Sequence, residues 1–497
     1  MSDVAGGYKP IQNACNKKFG IMKKIYFLSL FTIAFFLTFQ SLAKDKDKGS
    51  RIEVKIPHLA DKAVYLGYHF ADKNYVEDTI QLDGKGRAVI TGDSLPGGVY
   101  LLVMPNMRFV EFLVDENNQC FTIEADTTDF FKTLKFIGSK DNTDFLHFQK
   151  QLYRLNMKLR DLHQRLSKNK DNADSIAVLQ KQINAVNQQT KELNRKIIQS
   201  HKGTFLAHLV QAMTPPDVPD FHLPEDTPAR DSLLWVKRYN WLRDHYFDGV
   251  NFSDERLLRS PVLQSRLNQY FNRILLQRPD SLIPQIDKII ARAEKNDKVY
   301  QYVVIYLMNN FQKSTIMGLD EVYVHIAERY YLSGKTPWSD STFLAGLKDR
   351  IAHIKPNLIG RKAPDLRMET LNGEWVDLWE LQSPYTVLFF WEPNCGFCKK
   401  SIIKLWSLYQ QYKPKVLTVM AIYIYDKKDE WKKFVEEHNY VDDHWINTWD
   451  PHQLTNFRVN YDVYSTPVIY VLDKDKKIIA KRLDVDILKR FLKAEMK

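Results

Sequence analysis

The chain has 497 residues, of which 44% are hydrophobic and 26% are charged, as in soluble globular proteins. At roughly 100–200 residues per domain, this length predicts several domains and excludes a single hydrophobic core. The formal net charge of +11 is spread over lysine-rich segments without an Arg/Gly tract, so a solvated surface is favoured and no nucleic-acid partner is expected.

The segment that begins at Met22 has the three parts of a secretory signal peptide. Two lysines precede the apolar run Ile25–Phe39, and small residues then predict cleavage after Ala43. A membrane anchor is the alternative, but the run is shorter than the roughly 20 residues that a spanning helix needs. We therefore predict that Met22 is the true start and that residues 1–43 are absent from the mature, exported protein.

Export leaves three cysteines in the mature chain, Cys120, Cys395 and Cys398. One Cys-x-x-Cys pair with one odd cysteine does not make a disulfide scaffold. Cys120 lies in a predicted strand beside Phe121, and we expect it to be a buried, unreactive thiol.

Residues 44–138 contain short alternating segments at regular spacing, which predict a β-rich domain. The turn residues Asp83–Gly86 separate two of these segments and predict a hairpin. The pattern as a whole is typical of an antiparallel β-sandwich.

Residues 139–355 follow a helical period and predict an all-α middle domain. Apolar residues at three- and four-residue steps indicate a long, amphipathic helical hairpin over residues 142–200. Further helices with aromatic-rich faces are predicted over residues 203–355, where the aromatic side chains are interpreted as core residues.

Residues 356–497 alternate predicted strands and helices, which indicates an α/β domain. The buried strand Thr386–Phe390 is followed by a helix that begins near Cys398 and ends near Tyr412. Cys395 therefore lies where a strand turns into a helix.

The cysteine pair has two chemical interpretations. A structural zinc site needs about four ligands, and no second Cys-x-x-Cys or histidine pair with ligand spacing is present, so no metal is predicted. A redox pair fits better, because free N–H groups at a helix N-terminus stabilise a thiolate on Cys395. Cys395 could then attack a disulfide and Cys398, one turn later, could resolve the mixed disulfide.

Three separated motifs in this region carry a family resemblance. They are GRKAPDLRMETLNGEWVDL from Gly360, FFWEPNCGFCKK from Phe389 and YDVYSTPVIYVLDKDKKIIAK from Tyr461. Together, over about 140 residues, they resemble thioredoxin-fold thiol–disulfide oxidoreductases of the TlpA/ResA type. The resemblance implies a thioredoxin fold for residues 356–497.

The resemblance also implies roles for individual residues. Thr466 and Pro467 would form the cis-proline segment that faces Cys395 and Cys398, with adjacent backbone that pairs with the substrate chain. The active-site segment would contribute supporting residues, namely Trp391, Glu392 and Phe397. No metal or cofactor is implied beyond a redox-active Cys395–Cys398 disulfide. The implied partners are protein disulfides and a membrane electron donor of the thiol–disulfide type.

The whole arrangement is similar to exported proteins of Gram-negative bacteria, in which a β-rich domain and a helical domain precede the thioredoxin domain. This wider similarity and the signal peptide together imply a periplasmic location.

Two departures from the family pattern bear on mechanism. Phe389 stands where the thioredoxin family has a buried acid, and Glu392 is the nearest carboxylate. Phe397 stands between the cysteines, where strong oxidants have histidine. Without an imidazolium the thiolate is less stabilised and the disulfide is harder to reduce, which favours a reductase.

Two other functions were considered. A thiol peroxidase needs Pro-x-x-x-Thr-x-x-Cys, but Leu388 and Glu392 occupy the proline and threonine positions, so that function is excluded. The alternative that stays open is a binding or scaffold protein whose N-terminal domains carry the function, with a regulatory redox pair.

Overall fold

Eight strands form two four-stranded sheets in the N-terminal region of the computed structural model, which describes residues 49–126, 130–169, 172–412 and 416–495. One sheet has the order β4-β1-β7-β8 and the other β3-β2-β5-β6. The elements are β1 (Gly49–Lys55), β2 (Ala63–Phe70), β3 (Lys73–Gln81), β4 (Arg87–Asp93), β5 (Gly98–Val103), β6 (Phe109–Val114), β7 (Cys120–Glu124), the short α1 (Phe130–Thr133) and β8 (Lys135–Ile137). The predicted signal peptide lies outside the described residues.

Alternation along the strands directs one face of each sheet into a common core. Ile52 and Val54 of β1, Leu66 of β2 and Phe112 of β6 belong to one buried cluster, although they come from different sheets. Side chains two residues apart share a face of a strand, so these alternating residues reach the core together.

The sheet connections differ from the prediction at two places. β1 and β7 pair in parallel, so the purely antiparallel arrangement is wrong at this pair. The turn at Asp83–Gly86 exists, but β3 and β4 belong to different sheets and do not form the predicted hairpin. Turn residues determine where the chain reverses direction. Which strands then pair depends on contacts with strands that are distant in sequence.

Cys120 is exposed, which corrects the prediction of a buried thiol. The burial of β7 alternates from its first residue, so that Phe121 points into the core and Cys120 away from it.

Every element named between β8 and residue 357 is helical. Two long helices, α2 and α3, share a small apolar cluster and form the hairpin. The helices are α2 (Lys140–Lys168), α3 (Ala173–Ser200), α4 (Phe205–Met213), α5 (Arg230–His245), α6 (Val262–Gln269), α7 (Pro279–Ala293), α8 (Asp297–Gln312), α9 (Asp320–Ile326) and α10 (Ser341–Ile354). Single π-helical turns extend α6 and α9.

The helical and β-rich regions share buried surface. Val99 and Leu113 of the second sheet belong to the main helical core, and the Arg259 guanidinium lies 3.8 Å from the centre of the Tyr68 ring. The described residues from Gly49 onward accordingly pack as one compact unit.

The C-terminal region has a seven-stranded sheet in the order β10-β9-β13-β12-β11-β14-β15. Its elements are β9 (Arg367–Thr370), β10 (Trp375–Asp377), β11 (Tyr385–Trp391), α11 (Gly396–Tyr412), β12 (Leu417–Tyr423), α12 (Lys428–Glu437), β13 (Trp445–Trp449), α13 (Phe457–Asn460), β14 (Val468–Leu472), β15 (Ile478–Lys481) and α14 (Val485–Glu495). Strand β13 was not predicted. Among the residues that the structure describes, no helix has the length and apolar character needed to cross a membrane.

Asn142 connects the helical hairpin to the second sheet. Its side chain is fully buried in the first turn of α2, where Oδ1 accepts from the backbone N–H of Leu113 (2.6 Å) and Nδ2 donates to the Leu113 carbonyl oxygen (3.0 Å). The amide thus pairs with strand β6 as a neighbouring strand would.

We predict that Asn142→Ala lowers the midpoint of urea unfolding. The substitution leaves the buried N–H of Leu113 without this acceptor, which costs about 1–3 kcal/mol. Asn156→Ala, at an exposed position of the same helix, is the matched control and should change stability by less than about 0.5 kcal/mol. Equal effects of the two substitutions would contradict the proposed role of the amide.

Candidate active site

The cysteine pair lies beyond the end of β11, an interior strand of the C-terminal sheet. β11 pairs with β12 on one side and with β14 on the other, and both of its faces are buried. The strand ends at Trp391, and α11 begins at Gly396, where the Lys399 N–H donates to the Cys395 carbonyl oxygen (3.0 Å). Cys395 therefore stands directly before the first turn of a helix, as predicted.

The two sulfurs have different surroundings. Cys395 is half-buried, and its Sγ accepts from the backbone N–H of Cys398 (3.1 Å). Cys398 is fully buried in the cluster that contains Phe389 and Trp391. A backbone donor at the start of a helix stabilises negative charge on the sulfur that faces solvent. The arrangement thus provides one accessible sulfur with a second sulfur behind it.

Burial is the main cause of an altered pKa at Cys398. Loss of water around the thiol, followed by its hydrogen bond with Cys395, raises the pKa of Cys398 to about 12. The Thr466 side chain and the backbone of Glu392 act in the opposite direction on this pKa. Cys398 is consequently a protonated thiol at neutral pH.

Strand β14 brings the predicted cis-proline segment to the cysteines. Phe390 pairs with Val468, so Thr466 and Pro467 lie at the same end of the sheet as Cys395. The Thr466–Pro467 peptide bond is cis, and the Cys395 thiol donates to the Thr466 carbonyl oxygen (3.5 Å). Two segments that are 71 residues apart in sequence therefore meet at one sulfur.

Glu392 joins this group through the threonine. The Thr466 hydroxyl donates to Glu392 Oε1 (3.4 Å), and Glu392 is partly exposed. Phe389, at the position of the family's buried acid, is fully buried on the same face of β11 as Trp391. Glu392 is thus the carboxylate that the described structure places beside the cysteine pair.

The remaining predicted residues differ in burial. Trp391 is fully buried in the cluster that contains Cys398 and stacks on Phe389 with ring centres 6.1 Å apart. Phe397, which lies between the two cysteines in the sequence, is 75% exposed to solvent. Within the described ranges, no cluster of three or more histidine, cysteine or carboxylate side chains could hold a metal ion.

Sequence analysis missed the contact that the helical region makes beside the site. Arg350 of α10 pairs with Asp462, and the Tyr464 ring lies next to both Arg350 and His353. Asp462 and Tyr464 immediately precede Thr466 in the chain. No local pattern indicates this contact, because 112 residues separate the ion-pair partners.

Three known families match separate parts of the chain. Residues 359–481 match the AhpC/TSA family. Residues 177–357 and 50–145 match two domains of unknown function, DUF5106 and DUF4369, respectively. The two N-terminal families therefore assign no activity to this chain.

Individual known proteins are similar to parts of the chain. The thiol–disulfide oxidoreductase ResA of Bacillus cereus is 27% identical over 123 residues, which cover 25% of this chain and 68% of that protein. A thioredoxin-like protein from Bacteroides caccae is 23% identical with a TM-score of 0.44, over 57% of this chain and 98% of that one. A domain of a possible thiol-disulfide isomerase from Cytophaga hutchinsonii is 40% identical with a TM-score of 0.27, over 28% and 93%, respectively.

The C-terminal part of the chain is a thioredoxin-like domain of the thiol–disulfide oxidoreductase kind, which confirms the predicted enzyme class. The alternative of a binding or scaffold protein is not favoured by these matches.

We predict that Cys398 resists alkylation by iodoacetamide at neutral pH and becomes reactive only at high pH. In a Cys120→Ser background, Cys398 of a Cys395→Ser variant should react slowly at neutral pH. Its rate should still rise at about pH 10, because each pH unit below the pKa reduces the thiolate about tenfold. Cys395 of the matched Cys398→Ser variant should be modified much faster, because it is the sulfur that reaches solvent. A Cys398 rate that levels off near pH 9, the ordinary thiol pKa, would contradict the effect of burial.

Proposed function

We propose that the protein is an exported thiol–disulfide oxidoreductase that reduces disulfides of envelope proteins. The single observation that carries this proposal is the half-exposed Cys395 Sγ at the start of α11, with the buried Cys398 behind it and the Thr466 carbonyl oxygen 3.5 Å away. This geometry suits attack by one sulfur on a substrate disulfide and resolution by the other.

The reaction proceeds in two exchanges. The Cys395 thiolate attacks one sulfur of the substrate disulfide, the substrate S–S bond breaks, and the departing substrate thiolate takes up a proton. Cys398 then loses its proton and attacks Cys395 Sγ, which forms the Cys395–Cys398 disulfide and breaks the mixed disulfide. The second substrate sulfur leaves as a thiolate and takes up a proton. Two electrons and two protons pass to the substrate.

The cysteine pair serves as the electron carrier, and no other cofactor takes part. A dithiol protein at the membrane would supply two electrons and two protons to reduce the Cys395–Cys398 disulfide again. Because Phe397 provides no imidazolium beside the pair, the thiolate is less stabilised than in strong oxidants, which supports the reductase direction.

Glu392 is proposed to receive the proton of Cys398. Burial keeps this thiol protonated, so it needs an acceptor at the moment of its attack. Phe389 offers none, whereas the Thr466 hydroxyl lies between Cys398 and the Glu392 carboxylate. A proton could pass through this hydroxyl to Glu392 without a carboxylate beneath the pair.

The substrate chain is proposed to pair with the backbone beside Thr466 and Pro467. Both residues are partly exposed and precede β14, so an extended chain can lie along them as an added strand. Phe397 would contact the substrate on the other side of Cys395, and Trp391 would hold Cys398 in place.

The domain organisation is proposed with the predicted bounds. Residues 44–138 would form a β-sandwich, residues 139–355 an all-α domain and residues 356–497 the thioredoxin domain. The cluster shared by the two N-terminal sheets and the succession of helices α2–α10 support this division.

The catalytic prediction uses insulin reduction with dithiothreitol as the donor. Cys395→Ala should abolish the activity, because the attacking sulfur is lost. Cys398→Ala, reduced beforehand and then freed of dithiothreitol, should retain the first exchange and accumulate substrate as a mixed disulfide on Cys395, detectable by non-reducing electrophoresis. Cys120→Ser, which alters the remaining mature thiol, is the control and should reduce insulin at the unmodified rate. Full activity of Cys395→Ala would refute the proposed function.

The export prediction concerns the mature N-terminus. In the native organism, N-terminal sequencing should find a chain that starts at or near Lys44, because cleavage is expected after Ala43. A mature chain that retains Met22 and its apolar segment would indicate an anchored protein instead.

A further inference from the structure

Helix α10 of the helical region fixes the loop that carries the cis-proline. The Arg350 guanidinium makes a two-pronged contact with the Asp462 carboxylate, with Nη2 3.0 Å from Oδ2. Arg482 at the end of the sheet contacts the same carboxylate, and Asp462 is only 3% exposed. A buried carboxylate needs charged partners, and two arginines supply them here, so these ion pairs hold the loop in position.

The Tyr464 ring lies against two side chains of this helix. The centres of the Tyr464 and His353 rings are 5.8 Å apart, and the Arg350 guanidinium carbon lies 5.7 Å from the centre of the Tyr464 ring. Arg350 and His353 are three residues apart and share one face of α10. The helical region therefore determines where this tyrosine points.

Tyr464 nevertheless remains 68% exposed. A ring whose only role was to join the two regions would be expected to be covered by them. Buried polar contacts join them instead, because Lys481, 5% exposed, donates to the Asn357 carbonyl oxygen (2.8 Å) and pairs with Asp320 of α9. The exposed ring is thus available for another contact.

The position of the ring identifies that contact. Tyr464 precedes Thr466 by two residues, and the Thr466 carbonyl oxygen lies 3.5 Å from Cys395 Sγ. Phe397 presents a second exposed ring two residues beyond Cys395. A polypeptide that lies along Thr466 would pass close to the Tyr464 ring, and exposed aromatic rings are frequent anchors of protein contacts.

We infer that Tyr464, positioned by Arg350 and His353, determines specificity for polypeptide substrates by packing on apolar side chains next to the substrate disulfide. This inference rests on the proposed function. It assigns to the helical region a part in substrate selection, through residues that do not touch the reacting sulfurs.

The test compares a protein disulfide with a small disulfide that has no such side chains. In the chain from Lys44 to Lys497, kcat/KM is measured for insulin and for oxidised glutathione. Tyr464→Ala should lower the ratio of kcat/KM for insulin to kcat/KM for oxidised glutathione about fivefold. The change should come mainly from a higher KM for insulin, because an aromatic contact is lost. Tyr464→Phe keeps the ring and should show the same ratio as the unmodified chain.

Two further variants separate specificity from general damage. Tyr153→Ala removes an equally exposed tyrosine (67%) from α2 and should leave the ratio unchanged. Arg350→Gln should lower the ratio in the same direction as Tyr464→Ala, because the ring loses one of its two supports.

The outcomes distinguish this inference from the proposed function. An unchanged ratio in Tyr464→Ala, or an equal loss toward both disulfides, overturns the inference while Cys395-dependent reduction by the unmodified chain stands. If the unmodified chain reduces neither disulfide, the proposed function and this inference fall together.

Discussion

The burial of β11 between two neighbouring strands of the seven-stranded sheet is the constraint on which the site depends. The strand is covered on both faces and pairs on both edges, so its last residue, Trp391, has a fixed position. The residues that follow directly, including Cys395 and the start of α11, are therefore placed by the end of this strand. The antiparallel pairing with β14 then brings Thr466 to the same sulfur, where its carbonyl oxygen accepts from the Cys395 thiol.

The sequence could predict the parts of the site that are local. A buried strand, a Cys-x-x-Cys pair and a helix follow each other within about 30 residues, and each has its own pattern of spacing. The cis-proline segment lies 71 residues further on, and only resemblance to a family connected it to the cysteines. Burial in β11 and the alternation of the N-terminal strands were predictable for the same reason, since both depend on the period of apolar residues.

The features that were missed depend on partners far away in the chain. The parallel pairing of β1 with β7 is decided by how the second sheet folds between them, and no turn residue reports it. Cys120 is the first residue of its strand, where a shift of one position decides between core and solvent. The contact of Arg350 with Asp462 joins a helix to a loop that is distant in sequence. Neither segment has a pattern of charge or spacing that points to the other, so the sequence alone could not indicate the contact.

Only one of the two sulfurs can be reached from outside, since Cys398 is fully buried beneath Cys395. In the proposed cycle the oxidised substrate and the reducing donor must therefore approach the same atom from the same side. The substrate and the donor cannot bind at the same time, so they bind in turn. An excess of either one would compete with the binding of the other. The turnover rate would then depend on the concentration ratio of substrate to donor in the compartment, as well as on the rates of the two exchanges.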